Sequence, residues 1–577
     1  MPTPIKLAIL WHQHQPYYRA GNQFLMPWAW LHATKDYLEM AQHFERHPAM
    51  RGTINLVPSL LQQLEEYLSG EVFDPTVELM SKPAESLTAP EKELMLDSFF
   101  HAHPERMIER SVRYRELFEL QKGPGRERRF TEQEYRDLAV HYSLAWTGEI
   151  ARGREPFKSL IAKDRGFTEA EKKALAKAQR ENVSKIVSLH KELWERGQIE
   201  LTTTPYYHPI LPLLIDSESA REAMPAITLP TNHIAAPTEA EVQLEKGIQF
   251  FESIFENPPS GMWPSEGSIS NEALSLIRKN GIRWTASDES VLAQSLEGRK
   301  APCGDRIIDP EYARFFPWRI ETPEGELAVF FRDHGLSDDI GFRYSSWNAE
   351  EAVQHFVNNV LQIRSGLIDS YGEAILEHAC ISVILDGENC WEYYEHNGFY
   401  FLDQLYHLLT HTPEIRPVTF SEALGPSELK KLPLLPQVKA GSWIDANFHI
   451  WIGHSEDNLA WDYLYQATVA LEQERTQAMA LSGHDREAVL KRIEAAHKEL
   501  MIAEGSDWCW WYGDEHFSLQ KDLFDELYRM HLREVYRKLG RGIPEELSIP
   551  IWGRFSDKAD IEGKKYSAMH PTATFSE

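Results

Sequence analysis

Ile381-Ser382-Val383-Ile384-Leu385-Asp386 is a mostly apolar, β-branched run that ends on a carboxylate, and Gly387-Glu388-Asn389-Cys390-Trp391 follows it directly. A run that is continuous rather than alternating suits a strand buried on both faces, as in a parallel sheet. Similar runs occur at Ile5–Trp11, Thr53–Val57, Ile199–Thr203, Arg283–Ser287 and Leu327–Phe331, with a shorter one entering Trp263. Long amphipathic segments separate them. Strand and helix in alternation predict an α/β fold, either a barrel or a doubly wound sheet.

Helix starts are signposted by Thr88-Ala-Pro-Glu91 and by the capping-box spacings Thr131/Glu134, Thr168/Glu171 and Thr238/Glu241. One helix is predicted from Glu169 to about Arg196, stopped by Gly197. Between the second and third strands lies a helical insertion, about residues 76–196. After residue 415 the pattern changes. Proline punctuation gives way to three amphipathic stretches, Asn458–Leu481, Asp485–Ala503 and Glu515–Leu539, which predict a small helical bundle. The expected division is therefore a catalytic unit at 1–415 and a C-terminal helical domain at 416–577. The polar tail beyond Gly553 is expected to fray.

The totals bound the function. At 577 residues the chain is too long for one core. With 60 basic and 88 acidic side chains its formal charge is −28, which disfavours nucleic acid or an anionic membrane as partner but leaves a neutral polymer acceptable. The apolar run at Leu7–Trp11 is too short for a secretory core. Four scattered cysteines, Cys303, Cys380, Cys390 and Cys509, read as reduced thiols and point to the cytoplasm. No compact oxygen-ligand loop for calcium stands out.

Candidate functional groups follow the strand ends. They are His12 and His14 after the first, His208 after the third, Glu266 after the short fourth, Asp288, then Arg332, and finally Asp386. Groups at the carboxyl ends of parallel strands are the pattern of barrel active sites. Glu266 lies in Gly261-Met-Trp-Pro-Ser-Glu266-Gly and could point into a pocket, or could merely precede a helix cap. Asp386-Gly387 could be a plain turn, but Glu388, Asn389 and Trp391 crowd it. Two carboxylates flanking one bond suit acetal hydrolysis, one attacking and one protonating the leaving oxygen. His12 and His14 admit three readings: a metal pair, donors to sugar hydroxyls, or packing beside Trp11. Trp443, Phe448, Trp451 and Trp461, and the cluster Trp508, Trp510, Trp511 and Tyr512, offer flat faces to pyranose rings or fill a core.

Five separated segments give the chain a resemblance to glycoside hydrolase family 57. They are His14-Gln15-Pro16, Gly197–Leu201 through Tyr206-Tyr207-His208-Pro209, Gly261–Glu266, Asp386-Gly387-Glu388-Asn389 and Trp443–Gly453. The resemblance implies a (β/α)7 barrel followed by helices. It implies Glu266 as nucleophile and Asp386 as acid/base, with His12, His14, Trp263 and Glu388 lining the subsite of cleavage. It implies no metal and no cofactor, which tilts the histidines toward sugar binding. His208, Arg332, Trp391, Trp443 and Trp508 complete the expected substrate-contacting set. Asp386-Gly-Glu-Asn with Trp391, and the Thr202–Tyr207 run, look like the α-amylase and amylopullulanase branch. The expected activity is a retaining α-glucan hydrolase cutting α-1,4 bonds, with α-1,6 bonds as a second target. The alternatives are a 4-α-glucanotransferase or branching enzyme and, more distantly, a metal-dependent deacetylase or an inactive glycan-binding protein.

Overall fold

Period-2 alternation decides which side chains enter the centre of this fold. In strand β1 (Ile5–Gln13) Leu7, Ile9 and Trp11 pack outward with the surrounding helices, while Ala8 and Leu10 join an inner cluster. In the strand Cys380–Asp386, Ile381, Val383 and Leu385 face outward and Cys380 and Ile384 inward. Successive side chains of a strand point to opposite faces. His12 and Asp386 therefore continue the inward series to the carboxyl end.

The computed structural model describes residues 2–303, 306–425, 429–516, 518 and 520–555; the tail expected to fray lies outside the described residues from 556 onward. The remaining parallel strands are β2 (Gly52–Leu56), β3 (Ile199–Thr202), β4 (Gly261–Met262), β5 (Trp284–Asp288) and β6 (Gly325–Arg332), with Cys380–Asp386 as β7 and Ile415–Val418 as β8. One sheet runs β7-β1-β2-β3 as a parallel half-barrel, with β8 also paired parallel to the start of β1, and a second runs β4-β5-β6, with Trp318–Thr322 antiparallel at its edge. A parallel bridge from Thr203 to Met262 joins β3 to β4, and the Asp333 N–H donates to the Ser382 carbonyl at 2.8 Å between β6 and β7. Below, Phe420 stacks on Trp284 at 4.6 Å and meets Phe330 edge-on, which seals the amino-terminal end with aromatic rings.

Most helix starts follow the caps. Thr88, Thr131 and Thr168 each form a capping box. Thr238 does not, because its helix begins one residue earlier at Pro237, whose fixed φ suits the first turn. The helix expected over 169–196 is two, Glu169–Val183 and Ile186–Glu195, separated at Ser184-Lys185. The C-terminal stretches form α1 (Ser455–Met479), α2 (Gly483–Ala503) and α3 (Lys521–Leu539), which pack on one another. Their buried residues, among them Leu471, Leu500 and Leu532, share one cluster with Tyr18, Trp30 and Trp146. The C-terminal helices and the insertion thus cover the same core. Cys380, Cys390 and Cys509 are free and buried. Among the described residues no helix is long and apolar enough to cross a membrane.

Candidate active site

Strand register aligns the site. Asp386 is paired with His12 across β7 and β1, His12 with Asn55 across β1 and β2, and Asn55 with Thr202 across β2 and β3. On the other wall Arg332 is paired with Asp288. His12 Nδ1 lies 2.7 Å from Asn55 Oδ1, and the Asn55 amide donates to Thr202 Oγ1 at 3.1 Å. With Nδ1–H on Asn55, the ring of His12 is fixed and its other nitrogen left free. Burial holds His12 neutral, with its pKa lowered to about 3.

Glu266 stands on a single-turn 3₁₀ segment just after β4, with φ +56° and ψ +27°. A left-handed conformation at a residue with a β-carbon is strained and persists only when its surroundings enforce it, which is common at working sites. Here the next residue, Gly267, is also left-handed, and a β-carbon on it would stand 2.6 Å from the Trp263 ring. The Trp443 backbone N–H donates to the Glu266 carbonyl at 3.0 Å, and its indole N–H donates to Glu266 Oε2 at 2.7 Å. His208, itself at φ +62°, sets Nδ1 at 3.9 Å from Glu266 Oε1.

The two carboxyl groups sense each other. Burial and then the charge of Asp386 push Glu266 up to about 8, against the pull of the Trp443 N–H. Burial also pushes Asp386 up, while the Asn389 amide, 3.0 Å from its Oδ2, and the charges of His14 and Arg332 pull it down. The charge of Asp386 therefore disfavours ionisation of Glu266 beside it. Glu388 is buried beneath, takes the His14 backbone N–H at 3.1 Å, and is pushed well above the carboxylate range by burial and by Asp386.

The chain ends of β1 and β3 meet the C-terminal helices at this point. His14 Nε2 lies 2.8 Å from Asp507 Oδ1, and His208 Nδ1 lies 2.9 Å from Ser506 Oγ. The rings of His14 and His208 stack at 4.0 Å. Asp507 also raises Glu266 through its charge. Sequence reasoning missed Asp507, Ser506 and Asn55. The signal available for the first two was the polar Gly505-Ser506-Asp507 turn before Trp508, which draws less notice than the tryptophan.

Several of the expected contact residues are buried. Trp508 is buried, and its indole N–H donates to the Ile502 carbonyl; Trp391 is buried and donates to the Gly387 carbonyl. Both support the turns that carry site residues and offer no open face to a sugar. Phe448, Trp451 and Trp461 are core residues as well. Arg332 is buried, with N–H groups committed to the Ile384 carbonyl, Asp288 and Asp338, and its guanidinium lies 5.5 Å from the centre of the Trp443 ring. It braces Trp443 and has little left to give a substrate. Trp263 is fully buried, 5.2 Å edge-on to Trp443, leaving Trp443 as the half-buried ring beside Glu266. Truncating Trp508 to Ala should destabilise the protein by about 3–5 kcal/mol, as for other buried aromatics, read by chemical denaturation. A subsite tryptophan would instead change KM with little change in stability.

The sequence profile of Glycosyl hydrolase family 57 matches residues 8–436. The fold is similar to that of a GH57 branching enzyme from Thermococcus kodakaraensis, at 17% identity over 92% of this chain and 90% of that one, with a TM-score of 0.58. It is similar to the α-amylase AmyC from Thermotoga maritima, at 16% identity over 94% and 95% of the two chains, TM-score 0.57. A 4-α-glucanotransferase from Thermococcus litoralis matches 93% of this chain and 60% of its own length at 13% identity, TM-score 0.50.

Proposed function

This chain belongs to glycosyl hydrolase family 57, and we propose that it is a retaining α-glucan hydrolase cutting α-1,4 glucosidic bonds, with α-1,6 bonds as a second target. The observation that carries the reading is the pair Glu266 and Asp386 after the carboxyl ends of β4 and β7, each pushed up by burial and Glu266 further by the charge of Asp386. We read strands β1 to β7 as a (β/α)7-type barrel, with residues 416–577 as its helical companion.

In the first step Glu266 attacks the anomeric carbon while Asp386 passes its proton to the leaving oxygen. The product is a covalent glycosyl-enzyme of inverted configuration. In the second step Asp386 takes a proton from water, which attacks the same carbon and restores the α-configuration. The retaining route calls for the carboxyl groups at roughly 5–5.5 Å. Asp386 must carry a proton, and Glu266 none, during attack. The Trp443 indole N–H supports this by stabilising the Glu266 carboxylate. Once Glu266 is esterified its charge is gone, so Asp386 ionises more readily and serves as base. Buried, neutral His12 and the His14–Asp507 and His208–Ser506 pairs are suited to hold hydroxyl groups of the sugar. The free thiols of Cys380, Cys390 and Cys509 support a reducing compartment, the cytoplasm.

Water competes with a sugar hydroxyl in the second step, and the fold is shared with a branching enzyme and a glucanotransferase. Transfer is therefore the second reading. Time courses on starch, pullulan and maltotetraose decide between them. Shorter products alone support hydrolysis, longer oligomers or new α-1,6 branches support transfer, and unchanged glucans would end both.

Trp443→Phe removes one charge-assisted hydrogen bond from Glu266, worth about 1.5–3 kcal/mol. Its loss favours the protonated acid, so the ionisation limb of kcat/KM should move to higher pH. The rate at neutral pH should fall about 10- to 100-fold.

A further inference from the structure

His14, His208 and Asp507 come from three distant parts of the chain, yet one donor atom of each lies within 4.8 Å of the other two. No other such cluster occurs among the described residues. His14 Nδ1 and His208 Nε2 are buried without a hydrogen-bond partner. Buried polar atoms are nearly always satisfied, so His208 Nε2 calls for a partner, and on His14 the nitrogen already turned to Asp507 is Nε2.

The surroundings favour a cation. Asp507 supplies a carboxylate 2.8 Å from His14 Nε2, and the Glu266 carboxyl lies 3.9 Å from the other nitrogen of His208. The neighbouring guanidinium of Arg332 is engaged by Asp288 and Asp338. The cluster is also supported from behind. His208 Nδ1 rests on Ser506 Oγ at 2.9 Å, while the Ser506 N–H donates to the His208 carbonyl at 2.9 Å. The His14 backbone is tied to Glu388. An imidazole whose far nitrogen is held by an oxygen presents its near nitrogen in a fixed direction, as metal-binding histidines do.

We propose that His14, His208 and Asp507 form a binding site for a divalent transition cation, Zn²⁺ in the first instance, and that the bound ion inhibits the enzyme. Two imidazoles and one carboxylate suit zinc, cobalt, nickel or copper better than calcium or magnesium, which prefer oxygen donors. Tetrahedral zinc with bonds of about 2.0–2.1 Å needs its ligand atoms about 3.4 Å apart. The three separations, all within 4.8 Å, must therefore close by at most about 1.4 Å, within reach of side-chain rotation. Three protein ligands leave a position for water. The ion would occupy groups otherwise free to meet the sugar, so it should compete with substrate. This inhibition clause rests on the proposed glucan activity; the binding clause does not.

The test uses the full chain after dialysis against a chelator. Calorimetric titration with Zn²⁺ should give one site, and Co²⁺ should develop the intense visible absorption of a low-coordinate centre. Asp507→Asn should weaken binding by about 100-fold, and Ser506→Ala, which only frees His208, by about 10-fold. Thermal melts establish that both variants are folded. No saturable binding in the parent, or equal binding in parent and both variants, overturns the site. Zn²⁺ should raise the apparent KM for maltotetraose, reversibly with chelator. Tight binding without inhibition overturns the inhibition clause. A chain inactive on every glucan refutes the proposed function instead, while the titrations still decide the metal site.

Discussion

Glu266→Gln should be nearly inactive and more stable than the parent protein. Loss of the attacking group removes the covalent route altogether, and for groups that act as a unit such losses are on the order of 10⁴- to 10⁶-fold in kcat. The stability change follows from linkage. In the folded chain Glu266 is raised from 4.5 to about 8 by burial and by Asp386. The folded state then holds this proton more tightly than the unfolded chain. The resulting stability is complete below pH 4.5 and is lost as pH rises through 8. Glutamine never ionises. The advantage of the variant should therefore grow between pH 4.5 and 8 and level off above. Because the side chain keeps 14% exposure at the cleft floor, the gain at neutral pH is set at on the order of 1–2 kcal/mol. Product release from maltooligosaccharides and melting curves at pH 5 and 8 provide the two readings. A variant that keeps near-normal turnover, or that loses stability with activity, would show Glu266 to be a structural acid.

The strands were legible because each is a short apolar run, and parity along the run also carries the direction of its last side chain. Ala8, Leu10 and His12 share a face, as do Ile384 and Asp386, so the inward aim of both polar residues is written in spacing alone. The short β4 strand was harder to see, since two residues carry little periodic signal. The roles of the tryptophans were not legible. An indole in a polar loop can face solvent or plug the loop from beneath, and Trp391 and Trp508 do the latter, each held by one carbonyl. Arg332 resisted reading for a related reason. A sequence shows a cation beside a strand end but not the carboxylates of Asp288 and Asp338 that engage it. Asp507 was invisible because its partner His14 is almost 500 residues away, and only the packing of the C-terminal helices on the insertion core brings them together.

Asp386→Ala should separate the two chemical steps and fix which carboxyl group attacks. The pKa directions alone do not assign the roles, since burial raises both groups. Without the acid, kcat/KM on oligosaccharides should fall about 10²–10⁴-fold, because a sugar alkoxide leaves poorly unprotonated. An α-glucosyl fluoride has a much better leaving group, so its first step should survive and the glycosyl-enzyme should accumulate as a burst. Azide needs no base to attack, and it should enter the space vacated by Asp386 and restore turnover. The product distinguishes the assignments. Azide that attacks a Glu266 ester gives α-glucosyl azide, the retained configuration. In a Glu266→Ala variant, azide attacks the substrate directly from the vacated side and gives the β-azide. If Asp386→Ala yields the β-azide, Asp386 is the nucleophile and Glu266, already raised to about 8 in the free protein, is the acid.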